Sequence, residues 1–518
     1  MDEARFDRMA AALGGAATRR SGLKAALALL LGIGGREITP GADETGAAPK
    51  RHGQREVNGE KRPCGPKARD NRCRKHKDCC TKYCKKPKKG STAKVGRCRC
   101  IKPGKKCTKA QTCCGGARCQ NKRCTAASAC GATGAACTAD ASCCSGLVCQ
   151  NGSCGACAPT VCASGCAFTT VAAAYAAAAA GDTIYLAAGT HQTGLSITRD
   201  ITFAACPGTT GVILEPDRVY QTPDSYYAIF AEDPNDATTV RSVTLRGLEL
   251  RGTPAGFTAP KEILLYSNTN GVVAWTLDEC TVKDANAFMY SVGQTATLND
   301  TDITGCSYGV YISADTASLA VTGGTFTCGP SYMFYLSANF GALTMSGAAI
   351  LGGPYYPIYF YGDSGANRGN TTATLTNVTI TGGTYSPPYF EGGEILIDGC
   401  TISGITASTV GGGLYLSYVA ATIKDTSITG NTSSSGGGIY FYSQYAGDAL
   451  NVTGSTMITG NTSTNFAGGI QWSYGGNGTI TGTTTSNVTG NTGFSGADCG
   501  RDVNNNNFTK VNCATWQP

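Results

Sequence analysis

The sequence predicts an all-β fold, a solenoid of parallel strands stacked coil upon coil. Three observations carry this. An apolar residue recurs at Leu250, Val282, Ile303, Phe326, Ile350, Ile380, Ile402, Ile428, Ile458 and Val488, with steps of 21 to 32 residues. The last turns repeat almost letter for letter, as Ile428-Thr429-Gly430-Asn431-Thr432, Ile458-Thr459-Gly460-Asn461-Thr462 and Val488-Thr489-Gly490-Asn491-Thr492. Between them lie short elements rich in Thr, Val, Ile and Tyr and broken by Gly, Asn and Asp, which is strand and turn chemistry with no room for a helix. A unit of this size cannot bury its own apolar face, so stacking supplies the core. One coil then holds three short strands, each paired with its copies above and below.

On these residues the chain from about Arg241 to Asp498 resembles the right-handed parallel β-helix, or pectin-lyase-like, family. The resemblance is specific for fold and not for function. It implies a β-helix over 181–498 of eleven or twelve coils, a linker and cap helix over 155–180, and a C-terminal cap over 499–518. Phe168, Val171 and Tyr175 share one helical face of an alanine-rich segment, and Gly181 marks the expected stop. A helix there covers the open row of backbone donors and acceptors on the first coil. The stretch from Gly181 to Thr190 resembles the first strand and turn of such domains.

Cys499 and Cys513 are expected to close the far cap around the Asn504 to Asn507 loop, and Cys306 and Cys328 to bridge successive coils. Cys280 and Cys400 share a coil position but lie about five coils apart, roughly 24 Å at a strand spacing of about 4.8 Å. They are read as buried thiols. The pairing of Cys157, Cys162, Cys166 and Cys206 is open.

At the other end, residues 1–49 read as an export signal and linker. Thr18-Arg19-Arg20-Ser21-Gly22-Leu23-Lys24 precedes the short apolar run Ala25 to Ile33 and resembles a twin-arginine signal, with Gly22 where that pattern prefers Phe. The plainer alternative is a basic terminal helix. The run is too short to span a bilayer and no other stretch qualifies. An exported protein, extracellular or at the cell surface, is the expectation.

A basic linker, 50–63, leads to 18 of the 28 cysteines, which form three copies of one six-cysteine pattern over 64–98, 100–124 and 130–154. Units this small cannot bury a sufficient core, so cross-links replace it. Zinc is the competing reading, but neighbouring cysteines fit one tetrahedral metal poorly and only His76 lies within the units. Spacing alone leaves the pairing open. Each copy resembles an inhibitor cystine knot, and that resemblance implies Cys64–Cys80, Cys73–Cys84 and Cys79–Cys98; Cys100–Cys114, Cys107–Cys119 and Cys113–Cys124; Cys130–Cys144, Cys137–Cys149 and Cys143–Cys154.

Charge is divided along the chain. Residues 50–124 carry a net +22 against +8 for the whole, which leaves −14 for the rest. Such a head suits an anionic envelope polymer, or is a solvated, protease-resistant spacer; nucleic acid is excluded by compartment.

The third strand of each coil offers the candidate surface. Val310-Tyr311-Ile312, Phe334-Tyr335-Leu336, Ile358-Tyr359-Phe360, Pro388-Tyr389-Phe390, Leu414-Tyr415-Leu416 and Ile439-Tyr440-Phe441 place the flanking pair inward and the tyrosine outward. The next outward place holds Ser313, Ser337, Tyr361, Glu391, Ser417, Tyr442 and Ser473. Tyr311, Tyr335, Tyr359, Tyr389, Tyr415 and Tyr440, with Tyr361 and Tyr442, are candidate binding residues: a row of phenols suits a sugar chain, and it also suits a purely structural ladder.

Chemistry is sparser. Family relatives that cleave use several aspartates with a histidine, but His191 is the only histidine of the solenoid. Others use calcium-bound carboxylates with a basic residue, for which Asp278, Glu279, Asp300 and Asp302 with Lys283 are the nearest match. The plainer reading makes Glu279 and Asp300 turn residues and pairs Lys283 with Asp302. No cofactor is expected, calcium being the one candidate. The expected role is non-catalytic binding to a polysaccharide or other extracellular polymer. The rivals are a calcium-dependent lyase or glycosidase on the same β-helix, and protease inhibition by the cysteine modules. Oligomeric state is open.

Overall fold

Along the strands of the solenoid, apolar and polar residues alternate, as in Arg241–Arg246, where Val243 and Leu245 are buried and Ser242 is exposed. A period of two puts one side of each strand inside the coil, so the register between coils is fixed by what must be buried. The computed structural model describes residues 152–517 apart from the loops 218–221, 223–226, 233–238, 253–261, 268–272, 293–294, 364–368, 474–478, 483–486, 494–497 and 502–512 and the single positions 315, 330, 354, 409 and 446. Before residue 152 it describes short strands from residue 54 on and parts of 133–150. The export signal, the linker loops and most of the cysteine modules therefore lie outside the described residues.

The chain divides into two units, Met1–Ala156 and Cys157–Pro518. In the second, three sheets of 12, 12 and 13 strands run the length of a parallel β-helix. The first sheet runs from Thr183–Leu186 to Thr479–Gly482, the second from Gly189–Thr193 to Asn487–Thr489, and the third from Leu195–Ile197 to Trp516–Gln517. The apolar residues of the sequence repeat form one column of the second sheet, from Leu250 paired with Val282 to Ile458 paired with Val488. Their side chains meet inside, with Phe203, Trp275, Phe360, Phe390, Phe441 and Trp472, in one continuous core.

Between the first and second sheets nine successive coils turn on a residue with positive φ. These corners are Gly247, Glu279, Asp300, Gly323, Gly347, Asn377, Gly399, Asp425 and Gly454, with φ between 43° and 68°. That is left-handed backbone, which only glycine adopts freely and which Asn and Asp tolerate. Each of the first eight donates its N–H to the residue just before the next corner. Just past the corner, Cys280, Thr301, Cys400 and Thr426 turn inward and donate to a carbonyl of the preceding coil, at 3.3, 3.4, 3.6 and 3.3 Å. Cys280 and Cys400, the free cysteines among the described residues, are thus buried stand-ins for threonine. Burial pushes the Cys280 thiol up to about 11 and raises that of Cys400 as well.

The last repeats carry a second device. In Asn431, Asn461 and Asn491 the amide is buried, and each of the first two donates from both its backbone N–H and its side chain to the next asparagine's Oδ1, at 2.9 to 3.0 Å. Asn491 hands the same pair of bonds to Asp498 Oδ1, and Thr515 donates to Asp498 Oδ2 at 2.9 Å. Cys499–Cys513 bridges this end.

At the other end the helix spans Val171–Ala177, with Thr170 as N-cap accepting from Ala173 N–H, and buries Val171, Ala174 and Tyr175. It stops earlier than Gly181. The Asp182 carboxylate accepts from Ala179 N–H at 2.7 Å and opens the turn there, leaving Gly181 at φ 84° inside it. Bridges Cys157–Cys206 and Cys162–Cys166 tie this end together, and Cys306–Cys328 links neighbouring coils.

In the first unit, Leu147–Gln150 pairs antiparallel with Ser153–Ala156, placing Cys149 opposite Cys154, and the strands Arg118–Gln120 and Arg123–Thr125 set Cys119 opposite Cys124 in the same way. Cys137–Cys149 and Cys143–Cys154 are bridged. The remaining pairs expected of the three modules lie outside the described residues. No helix among the described residues is long and apolar enough to cross a membrane.

Candidate binding face

The third sheet brings eight tyrosines into one register column: Tyr266, Tyr290, Tyr311, Tyr335, Tyr359, Tyr389, Tyr415 and Tyr440, each paired with the next. From Tyr311 on, the flanking residues are buried and the tyrosines half-buried, as alternation dictates. Gln471 ends the column. The first two rungs escape the apolar-Tyr-apolar pattern because Ser267 and Ser291 fill the inward place that Ile312 holds on the next coil. Tyr266 and Tyr290 are also buried, in a small apolar cluster with Ala228, Ala231 and Ile263. The open part of the stripe therefore begins at Tyr311.

Ring geometry changes what the stripe offers. Tyr290, Tyr311, Tyr335, Tyr359 and Tyr389 stack face to face, with centroids 4.9, 4.5, 5.0 and 4.9 Å apart and planes within 15°. Their faces are spent on one another, so these rungs present edges and hydroxyls. Then the stack breaks. Tyr415 stands at 83° to Tyr389 and 87° to Tyr440, with neither neighbour stacked on its face.

Burial first, with help from neighbouring hydroxyls, raises the phenols of Tyr335 and Tyr415 well above the ordinary 10.0. Burial alone raises Tyr311, against its hydrogen bonds to Ser313 and Tyr335. At neutral pH these are O–H groups able to donate. The adjacent column runs Ser313, Ser337, Tyr361, Glu391, Ser417, Tyr442, Ser473 in continuous register, but Ser417 and Ser473 are buried, so only the other five reach the surface.

A second group of rings widens the face. Tyr332 stacks on Tyr356 at 5.4 Å and meets Tyr335 and Tyr359 edge-on, while Tyr355 packs 4.0 Å from Tyr385. Strict alternation from Tyr335 assigns position 332 to the interior. Met333 and Phe334 are both buried, however, so the alternation breaks between them and turns Tyr332 outward. The tyrosine three residues before Tyr335 and Tyr359 was the available signal.

The calcium candidates do not converge. Glu279 and Asp300 are corner residues at φ 53° and 43°, selected for the left-handed turn. Asp302 accepts from Thr325 N–H at 2.7 Å, and Asp278 is aligned with Arg246 and Asn299. Among the described residues no three carboxylates bring an oxygen each within 4.8 Å. Lys283 does not pair with Asp302, which is aligned with Thr281; it reaches the preceding coil and bonds Glu249 Oε2 at 2.9 Å. Against its partial burial, the hydrogen bonds and charges of Lys283 and Arg251 hold the Glu249 carboxyl below its usual range. His191 is hydrogen-bonded to the Ala187 carbonyl at 2.9 Å.

No family model matches the chain, and no curated protein matches it. Among solved structures it is similar to the A-module of mannuronan C-5 epimerase AlgE6 from Azotobacter vinelandii, at 14% identity over 67% of this chain and 93% of that one, with a TM-score of 0.29. A likeness at that level has no bearing on function, and the parallel β-helix stands on its own sheets and register.

Proposed function

We propose that the protein is an exported polymer-binding β-helix that holds a polysaccharide along the third sheet without cleaving it. The observation that carries this is the open phenol column, Tyr311 to Tyr440, six coils in unbroken register with a second column of Ser, Tyr and Glu beside it. A sugar chain has apolar faces and hydroxyl-rich edges, and this surface matches both with phenol edges and rows of O–H groups on a rigid support. Five coil steps at about 4.8 Å give a stripe of about 24 Å, long enough for several sugar units. The disulfides fit an oxidising compartment. The cationic head, residues 50–124, acts in this reading as an anchor to an anionic surface.

Binding is tested by calorimetry of the full chain against neutral and charged polysaccharides, alongside mass spectrometry of the soluble fraction. Tyr359→Ala with Tyr415→Ala is expected to weaken binding at least ten-fold while the fold is kept. Shortened or unsaturated products from the unaltered chain would overturn the reading and return attention to Asp278, Glu279, Lys283, Asp300 and Asp302.

A further inference from the structure

Where the tyrosine stack breaks, a single carboxylate is set among phenols. Glu391 accepts a hydrogen bond from the Tyr389 hydroxyl two residues before it and is aligned with Tyr361 on one side and Ser417 on the other. Tyr415 and Tyr418 flank that Ser417 on the next coil, and after burial the Glu391 charge adds to the raised hydroxyl pKa of Tyr361, Tyr389, Tyr415 and Tyr418. No cation among the described residues forms an ion pair with it.

The backbone beside it is strained. Tyr418 holds φ 55° at the place where the preceding coil has Gly392 at φ 70°. A bulky side chain in left-handed backbone costs on the order of 1 kcal/mol or more and persists only where the surroundings impose it. Here the strain sets the Tyr418 ring edge-on against Tyr442, 5.2 Å between centroids, with Tyr445 at 5.5 Å. Together with Tyr415, turned out of the stack, this gives rings of mixed orientation around one negative charge.

Phenol faces and a carboxylate without a counter-ion are the chemistry that recognises an ammonium group, through cation–π attraction and a charge-assisted hydrogen bond. We propose that Glu391, with Tyr361, Tyr415, Tyr418 and Tyr442, forms an ammonium subsite in the stripe, and that it takes the free amine of an amino sugar in the bound polymer. The identity of the carrier rests on the polymer-binding reading; the ammonium preference does not. The same carboxylate disfavours acidic polymers at this point of the face.

The test is calorimetry of the full chain with a glucosamine hexamer, an N-acetylglucosamine hexamer and a lysine oligopeptide, at a pH where the amines are charged. The expected result is about ten-fold tighter binding of the glucosamine hexamer than of its acetylated counterpart. Glu391→Gln keeps an acceptor for Tyr389 and is expected to erase that preference, while Asp302→Asn leaves it. Tyr418→Gly relieves the left-handed backbone and removes one wall, so the preference should fall while the melting temperature holds or rises. Equal binding of both hexamers overturns the subsite and leaves the polymer reading standing. Amine preference that survives Glu391→Gln overturns it as well. Binding of the lysine peptide alone, lost in Glu391→Gln, keeps the ammonium subsite and removes the sugar carrier. Failure of all three probes sinks the subsite.

Discussion

Asn461 has no water to turn to. Its amide bonds Asn491 and the Ile428 carbonyl, and its Oδ1 receives two bonds from Asn431. Replacing it by Ala leaves both Asn431 donors without their acceptor, takes the side-chain bond from the Ile428 carbonyl on the same preceding coil, and removes one of the two bonds that Asn491 Oδ1 receives on the coil after it. The expected loss is about 3 kcal/mol in denaturant unfolding of the last coils, against near-neutral change for exposed Met457→Thr. The phenols of the stripe give a second residue-level expectation. Tyr311, Tyr335, Tyr389 and Tyr415 titrate above the ordinary 10.0 in the folded chain, chiefly through burial. Between that value and their raised ones the unfolded chain has lost protons that the folded chain keeps, so stability falls as pH rises past about 10 and is untouched below it. Tyrosinate absorbance should lag in the folded protein and appear together with unfolding; a full titration of 24 tyrosines near the ordinary value, with the far-ultraviolet spectrum intact, would contradict the burial argument.

At the scale of the element, the C-terminal end depends on one strand closure. Asp498 ends the asparagine ladder, and Cys499–Cys513 holds the strand that follows beside it. Cys513→Ser is expected to fray the coils of Ile458 and Val488, seen as faster amide exchange there, while the coils of Tyr335 and Tyr359 keep their protection; uniform loosening of all twelve coils would show that the end does not act locally. The elements were also where the sequence was easiest to read. Every apolar column residue from Leu250 to Val488 sits in the register that spacing predicts, because burial on one side leaves strands no freedom to slip. The helix end was not legible, since a single Asp182 carboxylate decides it. Nor were the outward turn of Tyr332, which depends on two neighbours being buried together, and the reach of Lys283 back to Glu249 rather than to Asp302, which is a matter of side-chain direction and not of spacing.

Over the whole molecule, the three sheets make a support in which each coil touches only its neighbours, and the candidate face is built up one coil at a time. The sequence marked six of the eight tyrosines, because alternation identifies an outward ring but says nothing of whether its face is free. Stacking and the break at Tyr415 are properties of neighbours in space. The corners carry one last consequence. Because nine successive coils leave the first sheet through a left-handed residue at one fixed place, from Gly247 to Gly454, the step from coil to coil is a standard joint. Duplicating or losing the stretch between two joints preserves the backbone bond that each corner N–H makes to the next coil. The rod can therefore be lengthened or shortened only in whole coils, and with each coil of the stripe goes one phenol: its reach is a counted number, like the marks on a ruler, written in glycines, asparagines and acids.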